Sequence, residues 1–200
     1  MKYEDILKRL GLSDSDVINA YCYGSRVYGN YTSKSDHDFI FILKEVKNEQ
    51  FSDNLINVNF FSLEAHMHRV FEHEISALEC LFLDSQYILK EDVQIKFELD
   101  ISKLRHSLSR KSSNSWVKCK KKLTVEADYD LNIGRKSMFH AFRIIDFGIQ
   151  IASNAKIVDY SSCNDLYTEI MLRYDWVGLY EDFKPRYNQL SSKFREITHK

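Results

Sequence analysis

Residues 21–43 read YCYGSRVYGNYTSKSDHDFIFIL, and their reading decides the fold. Two apolar runs, 17–23 and 37–43, have strand character and flank a polar loop. A Gly24-Ser25 pair closes the first run, and Asp36 and Asp38 stand at the mouth of the second. Residues i and i+2 of a strand point the same way, so the two carboxylates aim at one spot while His37 faces the other side. Two carboxylates gathered against an apolar run are costly unless something positive lies between them. Mg²⁺ or Mn²⁺ suits such a place, because a hard cation takes a few carboxylate oxygens and completes its shell with water and phosphate. Upstream, Gly24 permits a tight turn and Ser25 brings a hydroxyl, and amides that follow such a turn can face an anion. A metal site beside a phosphate cradle implies a nucleoside triphosphate.

The rest of the chain sets the frame. At 200 residues it is long enough for one large domain or two small ones, with a real core. Lys and Arg total 28 against 29 Asp and Glu, a net charge of -1, so no global field draws it to nucleic acid or membrane. Cys22, Cys80, Cys119 and Cys163 are widely spaced and form no Cys-x-x-Cys pair, which argues against zinc. The first ten residues are charged and amphipathic, unlike a signal peptide, and no apolar run reaches the ~20 residues of a membrane span. A cytoplasmic location without membrane contact is expected.

Residues 3–10 read as an amphipathic helix, and 44–53 as a polar connection. Residues 55–61 alternate as a strand, with Ser62 capping a helix to about Glu72. Gln86–Leu89 reads as a last short strand. Beyond residue 92 the pattern is helical, over 92–110, 113–127, 132–153, 162–174 and 178–197, with the Ser-rich stretch 102–115 as a join between two helices. The expected organisation is an α/β domain over 1–92, then an all-helical region over 93–200.

Gly24-Ser25, ten residues, then Asp36-x-Asp38 resembles the signature of the DNA polymerase β-like nucleotidyltransferase superfamily. GSRVYG followed by SDHD is similar to its bacterial and phage branch of YcgL-like predicted nucleotidyltransferases. ALECLF, residues 77–82, resembles that branch's Leu-Glu-x-Leu-Phe element. RKSMFHAFRIIDFGIQIA, residues 135–152, resembles its Lys-x3-His-x2-Arg helix. The resemblance implies a palm-type α/β domain with a mixed sheet, and metal-dependent transfer of a nucleoside monophosphate from an NTP, ATP first among them. The acceptor would be a hydroxyl of RNA, protein or a small molecule, and pyrophosphate would leave. It implies Asp36 and Asp38 as catalytic metal ligands, with Gly24 and Ser25 at the phosphates; Arg26 reads equally as a further phosphate ligand or as a surface residue. In the helical part Lys136, His140 and Arg143, spaced i, i+4, i+7 on one helix face, would meet nucleotide phosphates. A solvated stripe is the plainer reading of those three. Lys118, Lys120, Lys121 and Lys122 beside Trp116 form a basic run that reads as a wet helix face or, less favoured, an RNA contact.

The superfamily's third carboxylate lies at the centre of the next strand, where this chain reads LINVNFF. Asn57 and Asn59 are the candidates, and both are amides. An amide offers oxygen but no charge, and is a poor base. Glu79, isolated in an apolar run, is the candidate substitute, and reads equally as a helix-end or salt-bridge glutamate. A nucleotide-binding or partner-binding module without transfer is therefore the alternative to an active enzyme.

Overall fold

A computed structural model describes residues 1–199, which divide into two compact units, Met1–Glu98 and Leu99 onward. The first unit is built on a five-stranded mixed sheet. Its strands are β1 (Val17–Tyr23), β2 (His37–Leu43), β3 (Gln50–Ser52), β4 (Ile56–Ser62) and β5 (Ile88–Glu91), in spatial order β3-β4-β2-β1-β5. β2 pairs antiparallel with β1 and parallel with β4. Residues 50–52, expected as part of a polar connection, instead pair with β4 as an edge strand.

Period-two alternation sorts the side chains between two cores. Phe39, Phe41, Ile56, Val58 and Phe60 pack with Ile6 and Leu7 of helix α1 (Tyr3–Leu10) on one face. Tyr21, Ile40 and Ile42 pack on the other face with Cys80 of α4 (Ile75–Leu81) and Leu63 of α3 (Leu63–Phe71). The Ser62 hydroxyl caps α3 by accepting from the Ala65 amide at 3.1 Å. The second face is also the side toward which Asp38, Asn57 and Asn59 alternate.

His66 of α3 lies in that second core with no solvent exposure, between the Tyr21 and Phe61 rings. Neither ring nitrogen has a hydrogen-bond partner. Burial, reinforced by the Arg69 charge, pushes its pKa down from 6.5 to about 4. The folded state thus favours the neutral ring, and the unfolded state binds more protons at acid pH. Stability is full above about pH 6.5 and is lost as pH falls toward 4, by on the order of 3 kcal/mol from this residue. Denaturant melts at pH 7 and pH 4.5 should show this loss, and His66→Phe should diminish it.

The second unit is helical: α5 (Ile101–Thr124), α6 (Leu131–Asn154), α7 (Asn164–Met171) and α8 (Trp176–Ile197). The expected break in the Ser-rich stretch is absent, because α5 runs through it. Leu104, Leu108, Trp116 and Cys119 recur on one buried face, and that packing outweighs the weak helix preference of serine. Ser112 joins three helices by donating to the Ala141 carbonyl at 2.7 Å and meeting the Tyr187 hydroxyl at 2.8 Å. Gly148 lets α6 approach closely, since a Cβ there would lie 2.8 Å from Phe194 and 2.9 Å from Leu108. No helix among the described residues is long and apolar enough to cross a membrane.

Candidate active site

The antiparallel β1/β2 pair sets Tyr23 opposite Asp38, so the chain leaving β1 turns beside the start of β2. Gly24 makes that turn with φ 75° and ψ -152°, a region open essentially to glycine alone. The one-turn helix α2 (Ser25–Tyr28) follows it. A Cβ on Gly24 would lie 2.2 Å from the Asp38 Oδ2, so the glycine is required both by its backbone and by its carboxylate neighbour. The Ser25 hydroxyl makes no hydrogen bond among the described residues.

From the other side, the parallel register sets Asn57 beside Asp38. The Asn57 amide nitrogen donates to Asp36 and, at 3.2 Å, to the Asp38 Oδ1. Its oxygen accepts from the Ser52 hydroxyl at 2.5 Å. Ionised carboxylates only accept, so the amide must turn its NH₂ toward them. Asp36, Asp38 and Asn57 therefore meet at one place, and a neutral amide separates the two charges. Asn59 lies one pleat further along, opposite Ile40 and exposed. Ser52 was not anticipated, since it stands on the unforeseen edge strand.

Arg26 turns back onto the loop before β2. Its guanidinium donates to the Ser35 carbonyl at 2.8 Å and the Asp36 carbonyl at 3.3 Å, and lies 4.9 Å from the Tyr31 ring centre. Its donors thus hold the segment that carries Asp36.

The family model described as Nucleotidyltransferase domain matches residues 1–122. The chain belongs to the nucleotidyltransferase domain family. No curated protein matches the sequence. Among solved structures, the chain is similar to spectinomycin adenyltransferase AAD(9) from Enterococcus faecialis, crystallised with ATP and spectinomycin. Identity is 12%, the TM-score 0.51, and the match covers 98% of this chain and 100% of the other, a likeness of fold.

Within this nucleotidyltransferase domain Glu79 is 1% exposed, and its carboxylate accepts from the Tyr28 hydroxyl at 2.7 Å. That bond ties α4 to the turn of helix after Gly24. Among the described residues no three His, Cys, Asp or Glu side chains form a group able to hold a metal ion, so Glu79 does not join Asp36 and Asp38 in one. In the helical unit, Lys136 is exposed, His140 half-buried and Arg143 buried, so the three do not form a solvated stripe. An Arg143 nitrogen lies 3.2 Å from the His140 Nδ1. Burial and then the charges of Arg143, Lys118, Lys136 and Lys111 push the His140 pKa down to about 3. Around a neutral imidazole, α5 and α6 thus gather four cations. Trp116 is buried against Tyr187, with ring centres 4.5 Å apart, and Lys121 and Lys122 pair with Asp128. The Trp116 ring itself is therefore not open to stack on a base.

Proposed function

We propose that the chain is a metal-dependent nucleotidyltransferase that moves a nucleoside monophosphate from an NTP, ATP first, to a hydroxyl of an acceptor. The observation that supports this best is the meeting of Asp36, Asp38 and Asn57 beside the Gly24 turn. The donor set fits Mg²⁺ or Mn²⁺. Two carboxylates lie within bonding reach of a single amide nitrogen, and rotation of that amide presents Asn57 Oδ1 to the same spot, with Ser52 then accepting from the NH₂. Asp36 and Asp38, with Asn57 as neutral third donor, would hold the metal. When bound, the ion supplies Lewis-acid charge at the phosphates.

The chain's own residues bind and orient. Ser25 and the amides after Gly24 receive the terminal phosphates. Arg26 keeps the Asp36 segment in place, and the Tyr28–Glu79 bond anchors the turn. Lys136, His140 and Arg143, with Lys111 and Lys118, form an anion-binding element of the helical unit. In the reaction, the acceptor oxygen bonds to the α-phosphorus while the bond from that phosphorus to the bridging oxygen breaks. Pyrophosphate leaves with the electron pair, and the hydroxyl proton passes to solvent.

The second reading, a nucleotide-binding module without transfer, draws on the same amide: Asn57 satisfies both carboxylates but adds no charge. Restoring the carboxylate separates the readings. Asn57→Asp should raise Mn²⁺ affinity about tenfold or more and lower the melting temperature of the metal-free protein, because three carboxylates then crowd one spot. Asn59→Asp should change neither, since Asn59 lies opposite Ile40, away from the pair. Titration calorimetry with Mn²⁺ and pyrophosphate release from each NTP are the measurements. A rise at Asn59 alone would misplace the site. NTP binding without pyrophosphate release or label transfer, in both the parent and Asn57→Asp, would favour the module.

A further inference from the structure

The Ser-rich stretch that reads as a helix join has a different use. On α5, residues 102, 105, 106, 109, 110 and 113 follow the spacing i, i+3, i+4, i+7, i+8, i+11, which places them in one stripe about 16 Å long. Together with the C-terminal end of α8 they line an open groove of about 680 Å³, wholly within the helical unit. Ser102, Ser109 and Ser113 are short and leave the depression. Arg105, Arg110 and Arg195 stand around it.

Charge sets the groove apart. The chain as a whole is balanced, at 28 basic and 29 acidic residues, yet among the described residues no Asp or Glu lines this groove. None of the three arginines has an ion-pair partner among the described residues. Arg195 reaches only the Ser192 hydroxyl, at 3.1 Å. Elsewhere in the same unit Arg173 pairs with Asp182 and Arg186 with Glu169. Among the described residues the lining holds no Phe, Tyr or Trp to stack a base, and Ile101 is its one large aliphatic residue. An acidic peptide would leave its apolar side chains without a pocket. Guanidinium forks suit phosphate oxygens, and serine hydroxyls both donate and accept, as contact with a 2′-hydroxyl requires.

We infer that this groove binds the sugar-phosphate backbone of RNA, without reading base sequence. It stands on residues of the helical unit alone and holds whether or not the chain transfers nucleotide.

The test is fluorescence anisotropy with the full chain and a labelled 20-nucleotide single-stranded RNA of mixed sequence, between 50 and 200 mM salt. The expected slope of log K against log[salt] is about -2, for three phosphates neutralised on a single strand. Replacing Arg105, Arg110 and Arg195 together by Gln should bring the slope near zero and weaken binding at 50 mM salt by about thirtyfold or more. Circular dichroism checks folding of that variant. If it does not fold, Arg110→Gln and Arg195→Gln singly, both at exposed positions, should each lower the slope by about 0.7. Lys120→Gln, on α5 outside the groove, should not share the loss of the arginine variants. The inference is overturned by no RNA binding at 50 mM salt, by arginine variants that bind as the parent does, or by an equal loss in Lys120→Gln. Equal affinity for DNA of the same sequence would overturn the assignment to RNA. Displacement of the RNA by 10 mM inorganic phosphate at constant ionic strength would reduce the groove to a small-anion site.

Discussion

An Asp38→Ala variant is expected to lose metal-dependent nucleotide transfer by about 10³-fold or more while keeping its fold. Asp38 is the residue on which the site converges. Gly24 presses against its carboxylate from β1, and Asn57 bonds it from β4. Removing it leaves Asp36 as the one carboxylate at the Asn57 amide, too little charge to hold a divalent cation against water. The fold should survive because Asp38 stands at the rim of the sheet, before the buried run Phe39–Leu43. Loss of one of two like charges also relieves repulsion, so the melting temperature should stay close to the parent's. Mn²⁺ titration of parent and variant, with pyrophosphate release alongside, measures both halves. A variant that keeps the parent's metal dependence would place the site elsewhere.

Gly24→Ala is expected to damage both stability and transfer, which distinguishes it from Asp38→Ala. The backbone at φ 75° and ψ -152° costs a non-glycine residue about 1–3 kcal/mol. The new methyl would then meet Asp38 Oδ2 at 2.2 Å, so either the turn opens or the carboxylate swings aside. A displacement of about 1 Å at a reacting centre costs about 10²-fold in rate, and that is the smallest loss expected. The melting temperature should fall in the metal-free protein as well as with metal, since the strain does not depend on a ligand. Unchanged stability would mean that the turn relaxes at no cost, and the close approach would then not constrain the site.

The two sets of chemical groups differ in how far they were legible. Asp36 and Asp38 are two apart, so local strand geometry alone directs them together. Asn57 and Asn59 are also two apart, and for that reason local geometry cannot choose between them, because both share one face of β4. The parallel register with β2 makes the choice by setting Asn57 beside Asp38. Ser52 had no signal, since a three-residue polar edge strand carries too little pattern to stand out from a loop. Arg26 reads equally as phosphate ligand or surface residue until the loop before β2 folds onto it.

The helical unit repeats the lesson. Serine's weak helix preference argued for a break near residues 102–115, but the buried face of α5 is long enough to carry the helix through. The spacing of Lys136, His140 and Arg143 was visible, while the burial of Arg143 was not. By itself the sequence determined an α/β part followed by helices, the Gly24 turn and the carboxylate pair, because turns, alternation and helical period are set by residues near one another in the chain. Only the tertiary structure decided which asparagine meets the carboxylates, that Glu79 is held by Tyr28, and that three arginines surround a groove with no Asp or Glu among its described residues. Each of these depends on strand register or helix packing between residues far apart in the chain, and no local preference encodes it.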